Sequence, residues 1–163
     1  MATYFEHTKI NLGEAVYAGV FAGIFAGVAM SMVAMTFAMM VGQGIWEVPK
    51  MIAVTILDRA WLDRSGFQVT PLLVGMMIHF STAIAFGIIF AILGGRLSEG
   101  RAVCLGTVYG LGIWLLMQFI LLPIVNPMMA GRPYLLSGIE HAVFGVVLGS
   151  YPASLPAVAE SQP

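Results

Sequence analysis

The sequence predicts an all-α membrane protein: four transmembrane helices forming a duplicated parallel helical hairpin, plus one interfacial amphipathic helix. Three observations predict it. The 163 residues are 60% hydrophobic and only 9% charged, with a mean hydropathy of +0.94, whereas a soluble domain carries roughly 25% charged residues. The few charges leave uncharged runs over residues 15–46, 65–95 and 102–131, and a fourth run, 133–155, that holds Glu140 alone. A pattern of Pro followed eight positions later by His opens two of these runs. Each run exceeds the roughly 20 residues that a spanning helix needs.

Residues 1–14 form a short polar lead, 15–155 a single four-helix domain, and 156–163 a tail. The first span is expected over 15–41. It is longer than the apolar core of a signal peptide and has no basic stretch before it, so it is read as a retained helix. Gly19, Gly23, Gly27 and Ser31 recur every four positions along it. Small residues at that spacing let a neighbouring backbone approach closely, which is how helices associate in lipid. An insert over 44–70 follows, and residues 49–62 within it read as the surface-lying helix. Ala53, Val54, Ile56, Leu57, Ala60 and Trp61 fall on one side of it, and Thr55, Asp58, Arg59 and Asp63 on the other. Pro49 suits a first helical turn, and Trp46 and Trp61 are the residue type enriched at membrane interfaces.

The second span is expected over 71–93, the third over 102–122 and the fourth over 133–151. Gly106 and Gly110 repeat the small-residue spacing in the third, and Gly145 and Gly149 in the fourth. The second span begins at Pro71 and the fourth at Pro133; in both, Leu follows at +2, His at +8 and Gly at +16. Two of the three histidines of the chain, His79 and His141, therefore occupy one slot, 62 positions apart. The duplicated units are 15–93, with the insert, and 102–151, and their pseudo-two-fold axis runs along the membrane normal.

Eight helical residues rise about 12 Å, so His79 and His141 are expected at matching depth, a third to a half of the way across. Ionisable groups at such depth face a bundle interior or a polar cavity. The two imidazoles can bond neighbouring helices, clamp a haem b iron or a metal, or serve a proton or substrate path. Glu140 is the one carboxylate inside a span. Ser137-Gly138-Ile139-Glu140 fits a capping box that would start the helix at Gly138, while the repeat starts it at Pro133 and puts Glu140 two turns in. Gln118, mid-helix in the third span, is expected to bridge helices. Trp114 and Met30, Met32, Met35, Met39, Met40, Met76 and Met77 read as lipid-facing or packing residues. Residues 126–133 read as a rigid, turn-rich loop.

No phosphate-cradling glycine loop, zinc spacing, nucleophile elbow or dinucleotide fingerprint occurs, so no catalytic residues and no metal site are expected. The formal charge of −1 offers nothing to nucleic acid. Cys104, the single cysteine, lies in an apolar stretch and excludes an internal disulfide. Lys9, Arg96 and Arg101 lie on the side of the termini, against Lys50, Arg59, Arg64 and Arg132 on the other. The tight Gly95–Arg101 turn carries two Arg and the opposite segments read as an external interfacial platform, so the termini are expected in the cytoplasm, with the chain in a cell inner membrane.

The Pro-to-His repeat, the glycine-laddered first helix and Trp46-Glu47-Val48-Pro49 together resemble the small four-helix bacterial membrane proteins grouped as uncharacterised families. These carry His-Phe or His-Ala early in the second and fourth spans, as His79-Phe80 and His141-Ala142 do here. The resemblance covers residues 15–148 and implies a bacterial four-helix membrane protein, with no activity or cofactor attached. The sequence thus leads to a non-catalytic accessory subunit of a larger membrane complex, such as a respiratory or photosynthetic electron-transfer assembly. The alternatives are a haem b or metal protein using His79 and His141, and a small transporter or channel.

Overall fold

The computed structural model describes residues 12–94 and 97–154, and among these every regular element is helical. Helix α1 spans Leu12–Met40, α2 Glu47–Ala53, α3 Val69–Gly94, α4 Glu99–Leu116, α5 Leu122–Val125, α6 Pro127–Ala130 and α7 Tyr134–Ser154. Three helical stretches are long and apolar enough to cross a membrane: Leu12–Met40, Val69–Gly94 and Gly100–Val125. The apolar part of α7, Tyr134–Ser150, is shorter. Most of the polar lead, the Gly95-Arg96 part of the tight turn and the 156–163 tail lie outside the described residues.

Helix α1 packs on α3 and α7, α7 packs on α4, and α3 meets α4 over a smaller contact. The α1–α3 and α4–α7 seams both close on glycine. A Cβ on Gly23 would lie 2.6 Å from the Ala83 carbonyl oxygen and 2.8 Å from Ile84 Cα. In the other pair, Gly106 faces the Gly145 carbonyl, and Gly110 faces the His141 carbonyl. Gly19, Gly27 and Gly149 are likewise covered by the partner helix of their own hairpin. The glycine ridges are therefore helix seams, where the missing side chain lets two backbones touch. Ser31 ends the first ridge differently, turning its hydroxyl to His79.

Helix α1 stops where Gly42 takes φ 77°. The N–H of Gln43 then bonds the Ala38 carbonyl at 2.8 Å, and that of Gly42 the Met39 carbonyl at 3.1 Å. This pair of hydrogen bonds is the glycine-dependent helix stop that satisfies the last carbonyls.

The surface-lying helix expected over 49–62 is not continuous. Helix α2 begins earlier, at Glu47, and ends at Ala53; a turn follows, and a short 3-10 turn covers Arg59–Trp61. Asp58 breaks the run because its carboxylate accepts the Ala60 N–H at 2.7 Å, capping the second turn instead of extending the first helix. The two expected faces therefore never form. What anchors α2 is Gly75 of α3, whose missing side chain leaves room for the Pro49 carbonyl, and Lys50. Lys50 is 1% exposed, and its ammonium donates to the Glu47 carboxylate at 2.9 Å and the Arg64 carbonyl at 2.6 Å. Trp46 meets Phe67 edge to face, and the Arg64 guanidinium lies 4.6 Å from the Trp61 ring centre.

The third span also departs from its expected end at 122. Helix α4 widens into a π-helical turn over Met117–Leu121 and continues through α5 to Val125. Pro123 supplies the reason: it has no N–H for the residue 119 carbonyl, and its ring would crowd that carbonyl in a regular helix. The 126–133 loop contains a further helical turn, α6, capped by Asn126.

Candidate functional site

Helices α3 and α4 approach each other where the Tyr109 hydroxyl donates to the Phe86 carbonyl at 3.0 Å and its ring packs on Phe90. A cavity of about 300 Å³ lies within the bundle, lined by residues of all four long helices. Phe86 and Phe144 border it from α3 and α7, and α1 contributes Met30, Ser31 and Met35. Segments α2 and α6 border it too, through Val48, Ile52 and Met129.

Asn126 ties those two segments together. Its Nδ2 donates to the Met51 carbonyl and to Thr55 Oγ1, both at 2.8 Å, and its Oδ1 accepts the Met129 N–H at 3.1 Å. At 3% exposure, none of these bonds is shared with solvent. Asn126→Ala is expected to cost about 1–3 kcal/mol, the penalty for orphaned buried partners, and to speed amide exchange in α2 and α6 while leaving α1 protected. Hydrogen-exchange mass spectrometry reads both.

The charged groups of the cavity lie on α7 and its approach. Arg132 grips Glu140 with two guanidinium hydrogen bonds, Nη1 to Oε2 at 3.0 Å and Nη2 to Oε1 at 2.7 Å. Glu140 is 1% exposed. Because α7 already starts at Tyr134, Glu140 is not a capping residue and the capping box at Ser137 does not form. Ser137 instead offers its carbonyl to His141 Nδ1 at 2.8 Å.

Both predicted histidines line this one cavity, in different hydrogen-bonded states. His79 Nε2 lies 3.0 Å from the Gly27 carbonyl and 2.9 Å from Ser31 Oγ. A carbonyl can only accept, so the ring that satisfies Gly27 carries its proton on Nε2. By the same argument His141 carries its proton on Nδ1, which leaves Nε2 as a bare lone pair. A bis-imidazole iron site through Nε2 would thus require His79 to surrender both of its partners. Among the described residues no group of three or more His, Cys, Asp or Glu side chains could hold a metal ion.

Other predicted residues fall elsewhere. Gln118 is buried in the π-helical turn, where Nε2 donates to the Ala130 carbonyl at 2.7 Å and Oε1 has no partner. It bridges α4 to α6 beside the cavity. Trp114 packs on Gly138. The methionines divide: Met30, Met35 and Met76 line the cavity, while Met32, Met39, Met40 and Met77 are 60–75% exposed. Cys104 is exposed. Sequence reasoning missed Arg132, Asn126, Met117 and Met129. Arg132 left a signal, as the one cation close ahead of the one carboxylate within a span. It also borders a second cavity with Phe37, Gln43 and Leu136, and is the residue common to the two linings.

A family model matches residues 14–161, nearly the whole chain. The chain belongs to DUF6789. This is a family of unknown function, in keeping with the resemblance drawn from the sequence. No curated protein and no solved structure matches the chain. The function of this DUF6789 member must therefore be argued from its cavity.

Proposed function

We propose that this chain is a four-span protein of a bacterial inner membrane, with both termini cytoplasmic. It acts without catalysis as a subunit of a larger membrane assembly, and holds a small apolar molecule between its helices. The cavity carries this reading: an apolar chamber whose lining includes two imidazoles and a buried Arg132–Glu140 pair. A few convergent polar groups in an apolar recess are what small-molecule sites have in common. Groups of this cost inside a hydrophobic bundle mark function by default.

Several observations support the membrane setting and the duplication. Large apolar side chains are exposed on all four long helices, among them Met32 at 65%, Met77 at 69%, Val108 at 62% and Leu135 at 68%. Water would not tolerate so continuous an apolar surface. Tyr134–Ser150 is close to the shortest length that spans a bilayer. The two hairpins also cross at matching places: Gly23 meets the Ala83 carbonyl, Gly106 meets the Gly145 carbonyl, and Ala83 and Gly145 are separated by the same 62 positions as the histidines.

Extraction in mild detergent followed by native mass spectrometry tests the proposal. The chain is expected to retain a small molecule of defined mass and to migrate within a larger complex. An empty, solitary chain would refute it. A Soret band in the visible spectrum would replace it with the haem reading, which His141 favours, since a ligating histidine holds its other N–H on a carbonyl.

A further inference from the structure

Resting on the proposed ligand-holding role, we infer that the cavity takes a lipid-soluble hydroxyaromatic molecule, of the alkylphenol or alkylhydroquinone type, which enters beside Val125. Val125, the last residue of α5, lines the cavity and is 51% exposed. The cavity thus reaches the bundle surface at the end of the Gly100–Val125 stretch. In the proposed membrane setting, a molecule dissolved in lipid can enter there.

The lining indicates what the body of the ligand is. Met30, Met35, Met76, Met117 and Met129 converge with Phe86 and Phe144. Thioether sulfurs make favourable contacts with aromatic rings and adapt their shape to them, and phenylalanine adds edge-to-face contacts.

The polar end indicates the head. Arg132 and Glu140 balance each other's charge through two hydrogen bonds, so an ionic head would gain no unmatched counter-charge. His141 is 9% exposed, its Nδ1–H is spent on Ser137, and its Nε2 lone pair is unused. That lone pair calls for a donor. Arg132 keeps further N–H groups beyond the two held by Glu140. A hydroxyl supplies both roles, donating to His141 and accepting from the guanidinium. A ketone or an ether would leave the lone pair of His141 without a donor.

The test uses the full chain in lipid nanodiscs with three probes: tritiated decylhydroquinone, its dimethyl ether, and decylbenzene. Binding is read above that of empty nanodiscs. The hydroquinone is expected to bind one per chain and at least about ten-fold more tightly than the ether, the discrimination expected when a buried acceptor loses its donor. His141→Leu, which leaves the Ser137 carbonyl its helical partner, is expected to erase that preference. Equal binding of all three probes overturns the hydroxyaromatic assignment and leaves an apolar-ligand site standing. Binding of none overturns the site as well. The ether comparison is made on the unmodified chain, so the outcome stands even if His141→Leu does not fold.

Discussion

Replacing Arg132 with methionine is expected to destabilise the bundle by about 3–5 kcal/mol, the cost of breaking a buried ion pair by removing one partner. Glu140 is 1% exposed, and both of its oxygens are held by Arg132. Methionine fills similar space, so the loss comes from stranding the carboxylate and not from opening a void. The double variant Arg132→Met with Glu140→Gln should recover much of that loss, because no charge is then left unpaired. Arg132→Lys should recover less than a like charge suggests, since an ammonium cannot make the paired guanidinium contact. Thermal unfolding in detergent, followed by circular dichroism, compares the four proteins. If Arg132→Met unfolds with the wild type, the pair is not buried in the way described. The same variant should also admit water from the second cavity to the inner one, since Arg132 is the residue that borders both.

Gly23→Leu is expected to open the α1–α3 seam at a cost of about 3 kcal/mol, the upper part of the overpacking range. The first carbon of the new side chain would already lie 2.6 Å from the Ala83 carbonyl oxygen. That neighbour is backbone within a helix, so it cannot rotate aside, and the two helices must separate. Separation would also stretch the bonds of His79 to Gly27 and Ser31, one and two turns further along the same seam. Exposed Gly112, whose added Cβ would meet nothing, is the control: Gly112→Leu should unfold at the wild-type temperature or above, since leucine is the better helix former. Equal stability of the two variants would make the ridge a matter of composition alone.

How much was legible in the sequence depended on the range of the interaction. Helix type and position depend on hydrophobic run length and on glycine and proline, all local properties. The bounds of α1, α3 and α7 therefore lie within a few residues of expectation. The glycine ridges were legible for the same reason, because a four-residue spacing fixes a helix face without reference to the partner. The α2 segment misled because its pattern is ambiguous at short range: a spacing that fits one amphipathic helix also fits two short turns, and the Asp58 cap decides between them. The π-helical turn followed from Pro123, but its effect on the preceding turn appears only once the helix is seen to continue.

By itself the sequence determined the helical class, the apolar lengths, the seams, and the pairing of His79 with His141 by register. Only the tertiary structure decided what those residues face. Arg132 reached Glu140 because the chain between them turns from loop into helix, and Lys50 became a buried cation because the Arg64 carbonyl, 14 residues away, folds over it. The two histidines each follow a proline by eight positions yet differ in partner: His79 crosses to α1, where Ser31 stands, while His141 bonds back along α7 to Ser137. A sequence slot does not fix hydrogen-bond state: His79 finds its partners on another helix, and that neighbour is chosen by packing over the whole bundle. The cavity has the same origin, since its lining is assembled from every long helix together with α2, α5 and α6.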